Sequence, residues 1–389
     1  MTGYLPQGQR SPDGIVPATC EPGFERVEQV FRHNLEHDQG GGAVCVYQDG
    51  RRVIDLWGGF RDTAGTKPWT ADTVSCVMSV TKAVVALGAL ILVERGKIQL
   101  EKPVASYWPE FSAGGKQDIS VELLMAGRAG LIYADRCKAG AIYRWPEMVR
   151  ALAEQEPAWS PGERGAYHST TIGFLLGELI QRVDGRDVAT FVREGITEPL
   201  DLDFTFGIPK ESGARVADII PSTENRTLNA AGDGVTKLAR AWKAMPENRH
   251  DMFNSDDWRH SVMPSGNGHS NARSLARIFA LLAMGGELEG VKLLSPELIG
   301  KARTVQWDGL CELTDRPYRY GLGFFLNGSP LVPMGPNEGA FGHPGLGGVL
   351  AFADPEARLS FSYTPNKMTA SEGVGRVCED LINAVYQSL

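Results

Sequence analysis

The sequence lacks the features that mark several large protein classes. None of its six cysteines forms a C-x-x-C pair, which argues against a zinc ribbon and a disulfide scaffold. The longest apolar run, residues 83–93, is too short to span a bilayer. The first residues do not show the basic start and following apolar stretch that are typical of a secretory signal. The net charge is −8, and no Lys/Arg-rich run provides a surface for nucleic acid or an anionic membrane. We therefore expect reduced thiols, a cytoplasmic location, and neither a nucleic-acid nor a membrane partner.

Motifs of two other hydrolase classes are missing or weak. The G-x-S-x-G elbow of α/β-hydrolases is absent. HNLEH at 33–37 matches the H-x-x-E-H pattern of inverted zinc proteases, but on a helix the apolar side chains occupy one face and His33 points nearly opposite. A solvated helix face is the favoured interpretation, so the sequence predicts no metal and no cofactor.

The residues that are present predict a folded α/β (α+β) protein. The chain has 389 residues, of which 42% are hydrophobic, enough for a large core. Residues 22–39 show helical spacing, and Asp49-Gly50 between two β-rich runs indicates a hairpin. Helical segments dominate residues 76–200, and strand patterns return near the end, before a last amphipathic helix.

This order of elements suggests a discontinuous domain organisation. We expect an antiparallel sheet flanked by helices from both termini, built from residues 1–75 and 296–389. Residues 76–295 would form an inserted, mainly helical domain. Within it, residues 205–265 have mixed composition and would cover the substrate as a cap.

Two polar residues near the start of an apolar helical stretch are the first chemical candidates. In VMSVTKAVVALGALILVERG, residues 77–96, Ser79 and Lys82 lie three positions apart and share a helix face. A lysine in a poorly hydrated site has a lowered pKa and can act as a base. In the alternative interpretation, Ser79 is only an N-cap and Lys82 reaches solvent. The S-x-x-K pattern alone does not choose between them.

Three motifs together resemble a known family. SVTK at 79–82, PGERGAYHS at 161–169 and FGHPGLGG at 341–348 occur in the order and approximate spacing of serine hydrolases related to class C β-lactamases, and the sequence is most similar to family VIII carboxylesterases. The resemblance extends from about residue 25 to the C-terminus. It implies a β-lactamase-like fold.

The resemblance also implies roles for individual residues. Ser79 would be the nucleophile that forms an acyl-enzyme, with Lys82 and Tyr167 as general base and acid; Tyr167 would act as a phenolate or proton relay, its pKa lowered by Lys82. The backbone N–H groups of Ser79 and Leu346 would form the oxyanion hole. Without the family, Tyr167 reads as a packing residue ahead of a helix capped by Ser169 or Thr170.

Departures from the family pattern bear on the substrate. His343 stands where penicillin-recognising relatives have a lysine, and Ser169 stands where they have an asparagine; with Gly345 these residues are the expected substrate-binding set. His343 alone could equally be a structural strand-end histidine. Because both changes remove polar contacts, uncharged short-chain esters are expected to be preferred over anionic β-lactams. Gly127 replaces a histidine usual in the family, and the sequence offers no functional account of that change.

Other functions remain open at this stage. An amidase or peptidase, a lactam hydrolase or an acyltransferase would keep the same Ser79, Lys82 and Tyr167. A non-catalytic binding protein on the same scaffold is a more remote alternative. The expected partner is a small-molecule ester, and the oligomeric state, including a homodimer, is left open.

Overall fold

A computed structural model describes residues 16–37, 40–371 and 373–389. In these ranges the helices are α1 (Glu25–His37), α2 (Val80–Glu94), α3 (Val121–Met125), α4 (Trp145–Glu154), α5 (Ile172–Asp184), α6 (Val188–Val192), α7 (Arg226–Gly232), α8 (Lys237–Ala241), α9 (Asp256–His260), α10 (Ala272–Ala283), α11 (Pro296–Ala302) and α12 (Gly375–Tyr386). The strands are β1 (Val16–Cys20), β2 (Gly41–Gln48), β3 (Arg51–Gly59), β4 (Ser75–Cys76), β5 (Phe204–Thr205), β6 (His269–Ser270), β7 (Glu287–Leu288), β8 (Val291–Lys292), β9 (Trp307–Leu310), β10 (Pro317–Tyr320), β11 (Phe325–Leu326), β12 (Phe341–Gly345), β13 (Val349–Asp354) and β14 (Leu359–Pro365).

A nine-stranded antiparallel sheet is the largest element of the fold. Its strand order is β1-β3-β2-β14-β13-β12-β11-β10-β9, so strands from both ends of the chain meet at the β2–β14 pair. The predicted hairpin joins β2 and β3, with Asp49 and Gly50 at φ values of 50° and 73°. Both residue types tolerate this left-handed conformation, which a two-residue hairpin turn requires. The expected α+β class with an antiparallel sheet is confirmed.

Helices pack on the sheet from several parts of the chain. Helix α1 contacts β3 and the C-terminal helix α12. Elements from the beginning and the end of the described chain therefore pack together. Helix α10 contacts β2, β13 and β14, and Ser360 Oγ on β14 donates to Ala276 O at 2.7 Å. The expected boundary at 295/296 assigns α10 to the helical unit, whereas its packing is on the sheet. The division into two domains otherwise stays a prediction.

Helix α2 connects the sheet to the helical part of the molecule. Thirteen consecutive residues, Val80 to Leu92, are buried, as expected for a helix that is apolar on every side. It contacts β12 and β13 on one side and α5 and α6 on another. Its N-terminus therefore lies where the sheet and the helices meet.

The segment from 205 to 265 contains little regular structure. It holds the short helices α7, α8 and α9, and the two-residue strand β5 lies at its start. Among the described residues, no helix combines the length and the apolar character needed to cross a membrane.

Candidate active site

The N-terminus of α2 brings Ser79 to the surface of a cleft. Ser79 is partly exposed and lines the cleft, and it directly precedes the helix. Met78 has a φ of 48°, a left-handed conformation that is uncommon for a residue with a side chain. The Ser79 side chain makes no capping hydrogen bond to α2. The N-cap interpretation is therefore wrong for this hydroxyl.

Lys82 is buried beside that hydroxyl. Its side chain does not reach solvent: the residue is 3% exposed, and Nζ lies 2.9 Å from Ser79 Oγ and 2.5 Å from Ser265 O. Burial without a carboxylate partner lowers the pKa of Lys82 well below its usual value. A neutral amine is a base, so Lys82 can accept the proton of Ser79.

Tyr167 adjoins both Lys82 and Ser79. Lys82 Nζ is 4.9 Å from the centroid of the Tyr167 ring, and Tyr167 also lines the cleft. The backbone N–H of Tyr167 donates to Cys311 Sγ at 3.2 Å, which ties this segment to the end of β9. Neither Ser169 nor Thr170 caps α5. Thr171 occupies the cap position without a capping hydrogen bond, since its Oγ1 donates to Leu131 O, and Thr170 Oγ1 donates to Ala241 O.

The protonation state of Tyr167 differs from the expectation. Burial raises its pKa well above the ordinary phenol value, and a hydrogen bond with Ser79 only partly offsets this. This direction is opposite to the expected lowering by Lys82, because desolvation outweighs the neighbouring groups. A neutral phenol is a proton donor, which keeps the relay role chemically available.

Two backbone N–H groups at the cleft are candidates for an oxyanion site. Leu346 follows β12, and β12 passes so close to α2 that a Cβ on Gly345 would lie 2.8 Å from Val77 O and 3.1 Å from Met78 Cβ. Only glycine permits this approach. In the described ranges, neither Ser79 nor Leu346 donates its backbone N–H to another group. Two unused donors on the cleft wall are what a developing oxyanion requires.

His343 does not line the cleft. It is fully buried on β12, and its ring centroid lies 5.0 Å from that of Phe325 and 5.9 Å from that of Tyr167. Nδ1 donates to Pro344 O at 2.7 Å, and Nε2 is buried without a hydrogen-bond partner. Burial, with the nearby Lys82, lowers the pKa of His343 to about 3, so the ring is neutral. The expectation that His343 contacts substrate is not supported by this position.

Ser169 and Gly345 do line the cleft. Ser169 Oγ accepts a hydrogen bond from Trp242 Nε1 at 3.0 Å. The hydroxyl is thus held by an indole from the end of α8, a contact that the sequence motifs did not indicate.

Gly127 acquires a structural explanation. Its φ is 68°, and a Cβ there would lie 2.7 Å from Ala166 O. His168 supplies an imidazole close by: Nδ1 donates to Ala166 O at 2.9 Å, and Nε2 accepts the Leu131 N–H at 3.0 Å. A glycine at 127 therefore lets the segment carrying Tyr167 pack against the chain, while His168 makes the imidazole contacts.

The cleft has a volume of about 430 Å³, within the range of small-molecule sites. Seven lining residues come from the expected cap segment, and most of the others come from the loop between β9 and β10, from β10, β11 and β12, and from the loops that flank β12. Sequence analysis missed the aromatic lining residues Trp242, Tyr318 and Phe325, because aromatic residues in strands and helices are usually core. It also missed two cations on the wall, Lys237 and Arg316.

Within the described residues, no cluster of three or more His, Cys, Asp or Glu side chains is arranged to hold a metal ion. The H-x-x-E-H pattern lies on α1, and the side chain of His37 falls outside the described part of the structure.

Comparison with known proteins identifies relatives over nearly the whole chain. A family model described as Beta-lactamase matches residues 27–377. The chain is 35% identical over 362 residues to the esterase/beta-lactamase LipL of Mycobacterium tuberculosis, covering 90% of this chain and 82% of LipL.

Solved structures show the same fold. A penicillin-binding protein homolog from Caulobacter crescentus superimposes with a TM-score of 0.88 at 33% identity, covering 96% of this chain and 100% of that one. A family VIII carboxylesterase superimposes with a TM-score of 0.87 at 31% identity and the same coverage. These matches confirm the expected resemblance and the expectation of an enzyme.

Proposed function

Because the chain belongs to the Beta-lactamase family of serine hydrolases, we propose that it is a carboxylesterase acting on short-chain, uncharged esters through an acyl-Ser79 intermediate. One observation carries the proposal: a desolvated Lys82 amine lies 2.9 Å from the Ser79 hydroxyl at the wall of a cleft that Tyr167 also lines. A nucleophile, a base and a proton donor are then within one site.

Acylation follows from this arrangement. Neutral Lys82 accepts the Ser79 proton while Oγ attacks the ester carbonyl carbon, and the carbonyl electron pair moves to the oxygen. The N–H groups of Ser79 and Leu346 stabilise that oxyanion. Collapse expels the alcohol oxygen, which takes the Tyr167 phenol proton, and the Lys82 ammonium returns a proton to Tyr167.

Deacylation repeats the sequence with water in place of the alcohol. Water attacks the acyl carbonyl carbon as neutral Lys82 accepts one of its protons, and the carbonyl electron pair moves to the oxygen. When the intermediate collapses, Ser79 Oγ leaves with the Tyr167 phenol proton, and the Lys82 ammonium returns a proton to Tyr167. Both half-reactions therefore use the same donors and acceptors, which is why an acyltransferase or amidase would need no other side chain.

The lining of the cleft supports uncharged substrates. Its inner walls are largely aromatic and aliphatic. The mouth carries Lys237, Arg316 and Asp315, with Lys237 Nζ 3.2 Å from Asp315 Oδ1. The Lys237 and Asp315 side chains are 48% and 74% exposed, so water and salt screen this pair and it holds a substrate carboxylate only weakly.

The test combines labelling with substrate comparison. A fluorophosphonate is expected to label the native protein once, at Ser79, and Ser79→Ala is expected to lose both labelling and nearly all turnover while remaining folded. Nitrophenyl butyrate is expected to exceed benzylpenicillin in kcat/KM by at least about a hundredfold, roughly 2.7 kcal/mol. Labelling at another serine would refute the nucleophile, and equal rates on the two substrates would refute the ester preference.

A further inference from the structure

The cleft has an enclosed side and an open mouth. Trp242 and Ser169 form part of the enclosed side: Trp242 is 6% exposed, and its Nε1 donates to Ser169 Oγ at 3.0 Å. The exposed Lys237 and Asp315 mark the mouth. A bound substrate therefore meets an aromatic wall on one side and solvent on the other.

Several contacts fix the Trp242 indole in this wall. Its backbone N–H donates to Leu238 O at 2.9 Å, and Thr170 Oγ1 holds the preceding carbonyl, Ala241 O, at 2.8 Å. The guanidinium carbon of Arg249 lies 5.9 Å from the ring centroid. Moving the indole aside would break its bond to Ser169 and leave a buried N–H without a partner, which is costly.

The chemistry decides which part of the ester faces this wall. After acylation the alcohol must leave and water must enter, while the acyl group stays bonded to Ser79. The alcohol therefore has to lie toward the open mouth, and the acyl chain extends toward the enclosed side.

We propose that Trp242, held by Ser169, is the specificity-determining residue that limits the length of the acyl chain. This inference rests on the proposed acyl-Ser79 mechanism and names the feature that makes the substrates short. The rigid indole ends the space into which the chain extends, so methylenes beyond that point cannot be buried. Each buried methylene changes binding by a factor of about four, so the limit is steep.

The experiment measures kcat/KM for nitrophenyl acetate, butyrate and octanoate. In Trp242→Ala the octanoate-to-acetate ratio is expected to rise at least about tenfold over the native ratio, the effect of roughly two more buried methylenes. If the alanine variant does not fold, Trp242→Phe takes its place. This variant keeps a smaller ring, so a smaller rise in the octanoate-to-acetate ratio is expected. An unchanged ratio in folded variants overturns the proposal.

Trp145→Ala is the matched control. Trp145 is also a tryptophan whose Nε1 donates to a side chain, Glu178 Oε2 at 2.9 Å, but it does not line the cleft. The octanoate-to-acetate ratio of this variant is expected to equal the native ratio. A rise of the same size here would mean that general loosening, and not the wall, sets the limit.

A second substrate series separates the acyl side from the alcohol side. With acetate esters of ethanol to hexanol, the dependence of kcat/KM on the length of the alcohol is expected to be the same in Trp242→Ala as in the native protein. A change in this series without a change in the acyl series contradicts the assignment. If the native protein cleaves no ester, the proposed function fails. The wall is then tested by the rates at which short- and long-alkyl fluorophosphonates label Ser79, whose ratio is expected to shift toward the long alkyl group in Trp242→Ala.

Discussion

At the scale of single residues, desolvation determines which group acts as the base. Lys82 has no carboxylate partner in the described structure, and its contacts are a hydroxyl, a carbonyl and an aromatic ring. Burial therefore lowers the pKa of Lys82 and raises the pKa of Tyr167. Both shifts favour the uncharged form, the amine of Lys82 and the phenol of Tyr167. The pair is arranged to exchange one proton with Ser79 and not to hold a permanent charge.

This predicts a particular pH dependence for Lys82. Because the neutral amine is the active form, kcat/KM is expected to fall as the pH drops through the lowered pKa of Lys82, at a pH well below 10.5. Lys82→Arg, which stays protonated, is expected to reduce kcat by roughly 10² to 10⁴. An ascending limb at the ordinary lysine pKa in the native pH profile would contradict the desolvated base.

The phenol of Tyr167 makes a separate prediction. Tyr167→Phe keeps the ring and removes the proton donor, so kcat is expected to fall by roughly 10² to 10⁴ with little change in stability. Combining it with Lys82→Ala is expected to add little further loss, because the two residues act as a unit. Tyr320→Phe is the control, since Tyr320 is buried in the same aromatic cluster without lining the cleft. A comparable loss of kcat in the control would assign the effect to packing.

At the scale of elements, a glycine turn positions the Tyr167 segment. Gly127→Ala would place a Cβ 2.7 Å from Ala166 O in a conformation with φ of 68°. We expect a loss of about 1–3 kcal/mol in the free energy of unfolding and a lowered kcat, because Ala166 directly precedes Tyr167. Urea unfolding and ester kinetics measure the two effects.

Gly96 provides the matched control for this substitution. Its φ is 67°, yet nothing lies within 4 Å of a Cβ placed there. Gly96→Ala is expected to cost only the backbone strain, about 1 kcal/mol, and to leave kcat unchanged. Equal effects of the two substitutions on kcat would show that the contact with Ala166 is unimportant.

Elements were predictable from sequence where local signals and burial agree. Three features were recognisable because each depends on residues close in the chain: the periodicity of α1 and α12, the Asp49-Gly50 hairpin and the almost wholly apolar stretch of α2. The packing of α10 on the sheet was not predictable, because the pattern of an amphipathic helix shows which face is buried and not which element covers that face. The burial of His343 was not predictable either, because a strand pattern does not tell which face borders the cleft and which packs against Tyr167 and Phe325.

At the scale of the whole molecule, the fold assembles the site from distant segments. Ser79, Tyr167, Ser265 and Leu346 come from four regions of the chain. The three family motifs made Ser79, Tyr167 and Leu346 predictable together. The lysine contact at Ser265 and the position of Trp242 were not predictable, because both residues lie in the segment 205–265, whose weak sequence pattern does not specify its fold.

The same burial predicts how stability depends on pH. His168, His269 and His343 are all buried, and desolvation lowers their pKa values to about 4, 3 and 3, below the ordinary value of 6.5. Their Nδ1 atoms bond to carbonyl oxygens, and at His168 protonation of Nε2 would also break the bond from the Leu131 N–H. The unfolded chain therefore binds these protons at a higher pH than the folded chain does.

The sign follows from linkage: the stability contributed by these neutral histidines is fully present above about pH 6.5 and is lost as the pH falls toward 4. Each proton changes the free energy of unfolding by at most about 1.4 kcal/mol per pH unit, so the three histidines together set an upper limit of about 4 kcal/mol per pH unit for this slope. Between pH 7 and 5, where most carboxylates remain ionised, urea unfolding is expected to show this steep decline. His269→Gln is expected to reduce the slope by about one proton's share. A slope that this substitution leaves intact would show that His269 does not contribute to the acid sensitivity.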